Sequence, residues 1–391
     1  MSGIVLSASV RQNLLSLQST ATMLATTQND LATGLKVNSA LDNPTNYFTA
    51  QGLNNRASDI SNLLDSIGNG VQILQAANTG LTSLQSLVDS AKSIANQVLQ
   101  APVGYSTKST VTSSVLAGTS GNLVDGINIK TGDTLTIAST GGGTATSITF
   151  GSGSGKVQSL SDLNAALAAN NLTASLDSLN HLVITTTNDA ASSTIGTVVF
   201  TGGGATPATF GAAAAPVADA NSQTTRANLV AQYNNIITQI TNTAQDSSFN
   251  GINLLNGDTL KLVFDETGKS TLSITGVTYN ATGLGLSALT AGTDFLDNSS
   301  ANKALTALNN ASTSLRTEAS ALGSNLSVVQ IRQDFNKNLI NVLQTGASNL
   351  TLADTNELAA DSQALQTRQS IAISALSLTN QAQASVLQLL R

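Results

Sequence analysis

The 391-residue sequence contains no cysteine and no tryptophan, a single histidine and four prolines. Without thiols it can build neither a disulfide framework nor a thiolate metal site. One histidine, His181, leaves no pair for a two-histidine zinc site and no H-E-x-x-H helix. A Ser/His triad could use only His181, and the residues around it announce neither an activating carboxylate nor a nucleophile. Lying beside Asn180 between two predicted strands, His181 reads as a turn residue.

Charge is equally scarce. Only 10% of residues are charged and 3% are aromatic, against about 25% charged in an ordinary globular domain. The net charge of -6, with no basic patch, argues against a nucleic-acid partner, which would be bound through clustered Lys and Arg. No run reaches the roughly 18 apolar residues of a membrane helix, so no membrane insertion is expected. The opening "MSGIVLSASVRQNLLSLQ" has neither the basic n-region nor the long apolar h-region of a Sec signal, so export would need another route.

Glycine runs such as "TGGGTATS", "GSGSGK" and "TGGGAT" lack the spacing of a phosphate loop and read as surface turns. Asp162, Asp177, Asp265 and Asp297 are scattered, with no local pair suited to acid/base work. No catalytic, cofactor-binding or metal-binding residue is expected, and the chain does not read as an enzyme.

What is present is 41% apolar residues set among Ser, Thr, Asn, Gln and Ala. A surface of amides and hydroxyls lets copies approach closely without desolvating many ions, which suits a polymer. From Val10 the positions Val10, Leu14, Leu17, Ala21, Leu24, Gln28, Leu31 and Leu35 alternate steps of four and three, an a/d seam broken at Gln28. Near the other end Ile371, Ala375, Leu378, Ala382, Ser385 and Leu389 follow the same rhythm, and Leu390 extends the apolar flank. The two seams are expected to cover one another and to meet the equivalent helices of neighbouring copies.

Between them "KVNSALDNPTNYF" interrupts the heptad at Pro44 and predicts a turn or connector. The stripe from Ile60 to Val98 predicts one helix of about 40 residues, far beyond the usual length. At Pro102 the texture changes to Gly- and Thr-rich alternations. "INIKTGDTLTIAS", "ATSITFGSG", "LTASLDS" and "HLVITTTN" read as strands, and "SLSDLNAALAAN" as a short helix opened by a Ser159/Asp162 capping box. Helical rhythm resumes at Arg226, a hairpin follows across "DETGK", and a last helical pattern from Asn302 continues past a weak spot near Gly346.

The expected fold is mainly α: a long coiled-coil-like helical bundle formed by both chain ends, with a β hairpin and an inserted strand-rich α+β outer domain. The expected domains are 1–40 with 346–391 as a terminal helical inner core, 41–100 with 226–345 as a long-helix bundle carrying the hairpin, and 101–225 as a surface-exposed insertion.

Four stretches, "LATGLKVNSALDNPTNYFTAQGLNNR", "IGNGVQILQAANTGLTSLQ", "SSFNGINLLNG" and "NQAQASVLQLLR", resemble bacterial flagellin in the right order. The insertion around "SLSDLNAALAANNLTASLDSLNHLVITTTNDAA" resembles the IN repeat of flagellin outer regions. It lies before the helix that begins near Arg226, whereas in well-known flagellins the outer domain enters after the hairpin. The resemblance implies a structural subunit of the bacterial flagellar filament, extracellular, assembling with itself for motility. Its implied partners are the flagellar type III export apparatus, a flagellin chaperone, and the filament cap and hook-junction proteins. A hook-filament junction protein and a filament-borne adhesin are the alternatives, and a secreted enzyme on a flagellin frame would need a catalytic cluster that is missing. The resemblance also aligns "DSAKSI", Asp89 to Ile94, with the stretch read by the vertebrate flagellin receptor. Lys92 and Ile94 keep the family's chemistry there, while Ser90 stands for an Arg and Ser93 for a Glu, which implies poor recognition.

Overall fold

The computed structural model describes residues 8–125, 127–202 and 208–389. The chain forms two compact units: residues 1–70, 261–272 and 328–391 make the first, and residues 71–260 and 273–327 the second. These limits fall at other places than the three expected domains, because α2 (Pro44–Gln100) and α5 (Asn298–Thr351) each run unbroken through residues of both units.

In the first unit α1 (Ala8–Thr33) ends where Gly34 adopts φ +71° and donates to the Asp30 carbonyl at 2.8 Å, a left-handed cap that favours glycine. Leu35, placed by the heptad on the helix, therefore lies beyond it and bridges Leu352. Lys36 N–H donates to Thr351 O at 2.8 Å and Ala353 N–H to Gly34 O at 3.0 Å, which stitches the end of α1 to the start of α6 (Thr355–Leu389). The two helices consequently run antiparallel.

The predicted weak spot at Gly346 stays helical, and the break falls at Leu352–Asp354 instead. There the Asp354 carboxylate accepts from the N–H groups of Asn356 (2.9 Å) and Glu357 (3.3 Å), capping α6. Pro44 likewise starts a helix rather than merely interrupting one. Asn43 Oδ1 accepts the Asn46 N–H at 3.0 Å, and proline suits the first helical position, where its missing N–H is no loss. The resulting α2 is 57 residues long, well beyond the expected 40. Ala57, Ile60 and Leu343 form a small buried cluster, and Asn336, itself buried, donates to Phe264 O at 3.0 Å.

The second unit holds a helical core in which Leu74, Leu81, Leu84 and Val88 of α2 are buried with Leu229, Tyr233 and Ile240 of α4 (Ala220–Asp246) and Leu308, Leu315 and Leu322 of α5. A Cβ at Gly80 would collide with Ser247 Oγ and Leu255, so only glycine admits that approach inside α2. The helix read from Arg226 starts earlier, behind an Asp219 cap that accepts from Asn221 N–H at 3.1 Å.

The insertion in this unit is α+β. The antiparallel pair β1 (Tyr105–Thr107) and β8 (Val217–Ala218) closes its base. Inside, β2 (Thr110–Leu116), β5 (Leu172–Leu176) and β6 (His181–Thr186) form one sheet in the order β2-β6-β5. The other, ordered β4-β3-β7, contains β3 (Thr134–Ile137), β4 (Thr146–Thr149) and β7 (Val198–Thr201). The helix α3 (Leu160–Leu167) opens with the expected reciprocal cap: Asp162 N–H donates to Ser159 Oγ at 3.1 Å and Ser159 N–H to Asp162 Oδ2 at 2.9 Å. Leu123, Leu135, Phe150, Leu163 and Ile184 fill the core beneath it. The predicted hairpin is β9 (Thr259–Val263) paired with β10 (Thr271–Thr275).

Candidate functional site

The terminal helices carry the residues singled out as an assembly seam. On α1 the covered positions are Val10, Asn13, Leu17, Thr20, Leu24, Thr27 and Asp30, in steps of three and four. On α6 they are Leu358, Ser362, Leu365, Gln369, Ala372, Leu376 and Thr379, in steps of four and three. This heptad register differs from the one read by hydrophobicity. Of the predicted seam, Val10, Leu17 and Leu24 lie at the contact, whereas Leu14, Ala21, Gln28 and Leu31 are exposed.

On α6 the predicted set lies off the contact. Ile371 is 64% and Leu378 69% exposed, and Ala375 and Ala382 are also open. Leu389 closes α6, its side chain and all of Leu390 lying outside the described residues. The physical reason is that α6 carries two competing apolar rows: the contact mixes Leu358, Leu365 and Leu376 with Ser362, Gln369 and Thr379, so apolar periodicity alone does not separate it from the Ile371/Leu378 row. Thr20 is fully buried, and its Oγ1, which donates to the Ser16 carbonyl of its own helix at 2.9 Å, needs no partner across the seam.

The outcome is a helix pair with a mixed seam and apolar residues on its open surface, namely Leu14, Leu15, Met23 and Leu31 on α1 and Ile371, Ile373 and Leu378 on α6. No Asp, Glu, Lys or Arg occurs from Gln12 to Asn29 or from Gln369 to Leu389. Such a surface neither repels a copy of itself nor carries ions to desolvate. Among the described residues no helix is long and apolar enough to cross a membrane.

The other residues singled out occupy different places. His181 is not a turn residue: it opens β6, with Nδ1 2.9 Å from Asp177 Oδ2. Hydrogen bonds led by the His181 backbone N–H hold the Asp177 carboxyl below its ordinary pKa. No group of three His, Cys, Asp or Glu among the described residues could hold a metal ion.

In the Asp89 to Ile94 stretch, Asp89 lies 3.6 Å from Lys92 Nζ and accepts from Gln85 Nε2 at 3.0 Å. Ser90 and Ser93 are exposed, and Ser90 Oγ turns back to Ser86 O at 2.9 Å. Ile94, read as an apolar contact for a receptor, is buried in this chain's own core, where an isoleucine on the inward face of an amphipathic helix belongs.

Residues 5–128 match the family described as the bacterial flagellin N-terminal helical region. Flagellin FljM of Caulobacter vibrioides is 30% identical over 164 residues, covering 42% of this chain and 59% of the relative. Flagellin FljO of the same organism is 29% identical over 164 residues, with the same coverage of each chain. Flagellin FljJ is 30% identical over 173 residues, 43% of this chain and 62% of the relative. The chain thus spans about 59% of the length of the first of these relatives.

Proposed function

We propose that this chain, whose residues 5–128 match the bacterial flagellin N-terminal helical region and which is similar to Caulobacter flagellins, is a structural subunit of the extracellular flagellar filament, assembling with itself for motility and carrying out no chemical turnover. The observation that carries this reading is the open apolar surface on terminal helices whose stretches 12–29 and 369–389 carry no charged residue. Leu14, Leu15, Met23 and Leu31, with Ile371, Ile373 and Leu378, are unsatisfied in one copy. At about 25 cal/mol per Å2, covering each of them in a polymer contributes roughly 1 kcal/mol.

In this reading Val10, Leu17 and Leu24 hold the two ends of one chain together, and Leu14, Leu31, Ile371, Ala375, Leu378 and Ala382 meet neighbouring copies. Residues 1–40 and 346–391 form the inner core of the filament, and the insertion at 101–225 faces solvent. The chain leaves the cell through the flagellar export apparatus with a flagellin chaperone, and the filament cap and hook-junction proteins bound the polymer it forms. A hook-filament junction protein would share such terminal helices but stop at a few copies, and an adhesin would use exposed turns of the insertion.

Electron microscopy of the purified full-length chain tests the proposal. Long filaments of regular diameter are the expected result. Short, self-limiting assemblies would favour the junction reading, and a chain that stays monomeric at high concentration would overturn both.

A further inference from the structure

The turn between α1 and α2 presents Leu41 at 95% exposure, the residue itself standing on a braced scaffold. Asp42 Oδ2 accepts from Asn38 N–H (2.9 Å), Ser39 N–H (2.8 Å) and Ser39 Oγ (3.1 Å), and Leu41 N–H donates to Ser39 Oγ at 3.3 Å. An apolar side chain held out by a hydrogen-bonded turn is a preorganised knob, whose docking costs little ordering entropy. Lys36 lies on one side of it in the chain and Asp42 on the other. The Lys36 ammonium makes no ion pair among the described residues.

On the α1/α6 pair a groove of about 450 Å3 is lined by Met23, Ala364 and Leu365, by Thr22, Thr26 and Thr27, whose hydroxyls donate to carbonyls of their own helix, and by Asp361 and Arg368 along α6. The two charged residues are seven apart, about 10 Å along a helix, and neither makes an ion pair or side-chain hydrogen bond among the described residues. Knob and groove are complementary in charge: a cation, a leucine and an anion on one, an anion, a floor of Met23, Ala364, Leu365 and threonine methyls, and a cation on the other.

We propose that the groove between α1 and α6 receives the Lys36–Asp42 turn of a second copy, with Leu41 on Met23, Ala364 and Leu365, Lys36 facing Asp361, and Asp42 facing Arg368. This rests on the filament reading and names one of its contacts. Knob and groove are different patches of one chain, so the contact is head-to-tail and does not close on itself; repeated, it builds an open helical array.

The absence of native cysteine allows a direct test. Filaments of the L41C/A364C chain, treated with a mild oxidant and run without reductant, are expected to give a ladder of covalent multimers. L41C or A364C alone should give at most dimers. Separately, K36E should raise the concentration needed for assembly about fivefold by placing like charges together, and K36E/D361K should return it to near the parent value. All variants should unfold thermally as the parent does, since the four positions are exposed or half-buried at the surface.

Filaments that form normally but give no ladder, or K36E chains that assemble like the parent, would overturn this contact and leave the filament reading standing. Cross-linking by A364C alone as efficient as in the pair would assign the groove to α6 of another copy instead. A parent chain that forms no filaments would overturn both proposals.

Discussion

Arg226 Nη2 donates to the carbonyl of Val98 at 2.9 Å, joining α4 to the last turn of α2. The same guanidinium reaches Ala101 O (2.9 Å), Pro102 O (2.7 Å) and Phe295 O (2.6 Å). It is fully buried, and no carboxylate lies within ion-pair distance of it among the described residues. Its charge is instead balanced by carbonyls that the end of α2 leaves unpaired, where the helix dipole is negative. Burial draws its pKa below the ordinary value, and the charge of Asp297 opposes the shift.

Arg226→Met should therefore lower the unfolding free energy by about 3 kcal/mol, because several buried carbonyls lose their donor at once. Arg226→Lys should recover only part of that, since an ammonium cannot reproduce the planar fork. Urea unfolding followed by circular dichroism measures both. A methionine variant as stable as the parent would contradict this account of the site.

Tyr233 supplies a pH dependence. It lies against Phe295 with ring centroids 5.8 Å apart, and burial pushes its hydroxyl up to about 12. Tyr279 is also pushed up to about 12, by burial first and then by the charge of Glu318. In the unfolded chain tyrosine titrates near pH 10. Below that pH both states hold the proton and the full stability is present. Between about 10 and 12 the unfolded state loses its protons first, so stability falls as pH rises, by up to about 1.4 kcal/mol per pH unit for a buried tyrosine. Denaturant midpoints at pH 9 and 11.5 should differ accordingly, and Tyr233→Phe should shrink the difference. An unchanged slope in that variant would rule the assignment out.

The insertion should be removable. Its ends meet in the β1/β8 ribbon, where Tyr105 is opposite Ala218 and Asp219 N–H donates to Gly104 O at 3.0 Å. Replacing residues 106–217 by a short Gly/Ser linker leaves Pro102 and the Asp219 cap in place. The shortened chain should still polymerise, into thinner filaments visible by negative-stain microscopy. Loss of assembly with retained helicity would make the insertion part of the filament lattice.

Removal of residues 372–391 should have the opposite effect. The antiparallel contact loses Ala372, Leu376 and Thr379, uncovering the first turns of α1, and the open residues Ile373 and Leu378 go with them. The remainder should keep most of its helical signal and its Arg226 site. Sedimentation should find no polymer, and normal-length filaments from this chain would count against the terminal helices as the assembly surface.

We propose, finally, that the chain signals poorly through the vertebrate flagellin receptor. Around Ser90 the exposed surface of α2 offers hydroxyls and the Asp89–Lys92 pair, and the stretch from Asp89 to Ile94 contains no arginine. An arginine anchor at an interface centre is often worth about 2 kcal/mol or more, roughly thirtyfold in affinity. A reporter-cell assay with monomer should read weak activation, raised by Ser90→Arg; full activation by the parent chain would end the proposal.

Periodicity and cap chemistry, which act within a few residues, determined much of this protein by sequence alone. They disclosed the long helices, the β9/β10 hairpin, the Ser159/Asp162 capping box and the strand-rich character of the insertion. Boundaries set by a single residue's conformation were less legible: Gly34 ends α1 before Leu35, and Asp354 rather than Gly346 marks the break before α6. Only the tertiary structure decided which register of the terminal heptads faces inward. A leucine stripe shows that a surface will be covered, without showing by what. Here close helix approach selected Thr20 and Ser362, whose small side chains fit between backbones, and left Leu14, Ile371 and Leu378 outside. The long-range convergence of Val98, Pro102 and Phe295 on Arg226 had no local signal at all, since its acceptors are backbone carbonyls, which every residue carries and only folding brings together.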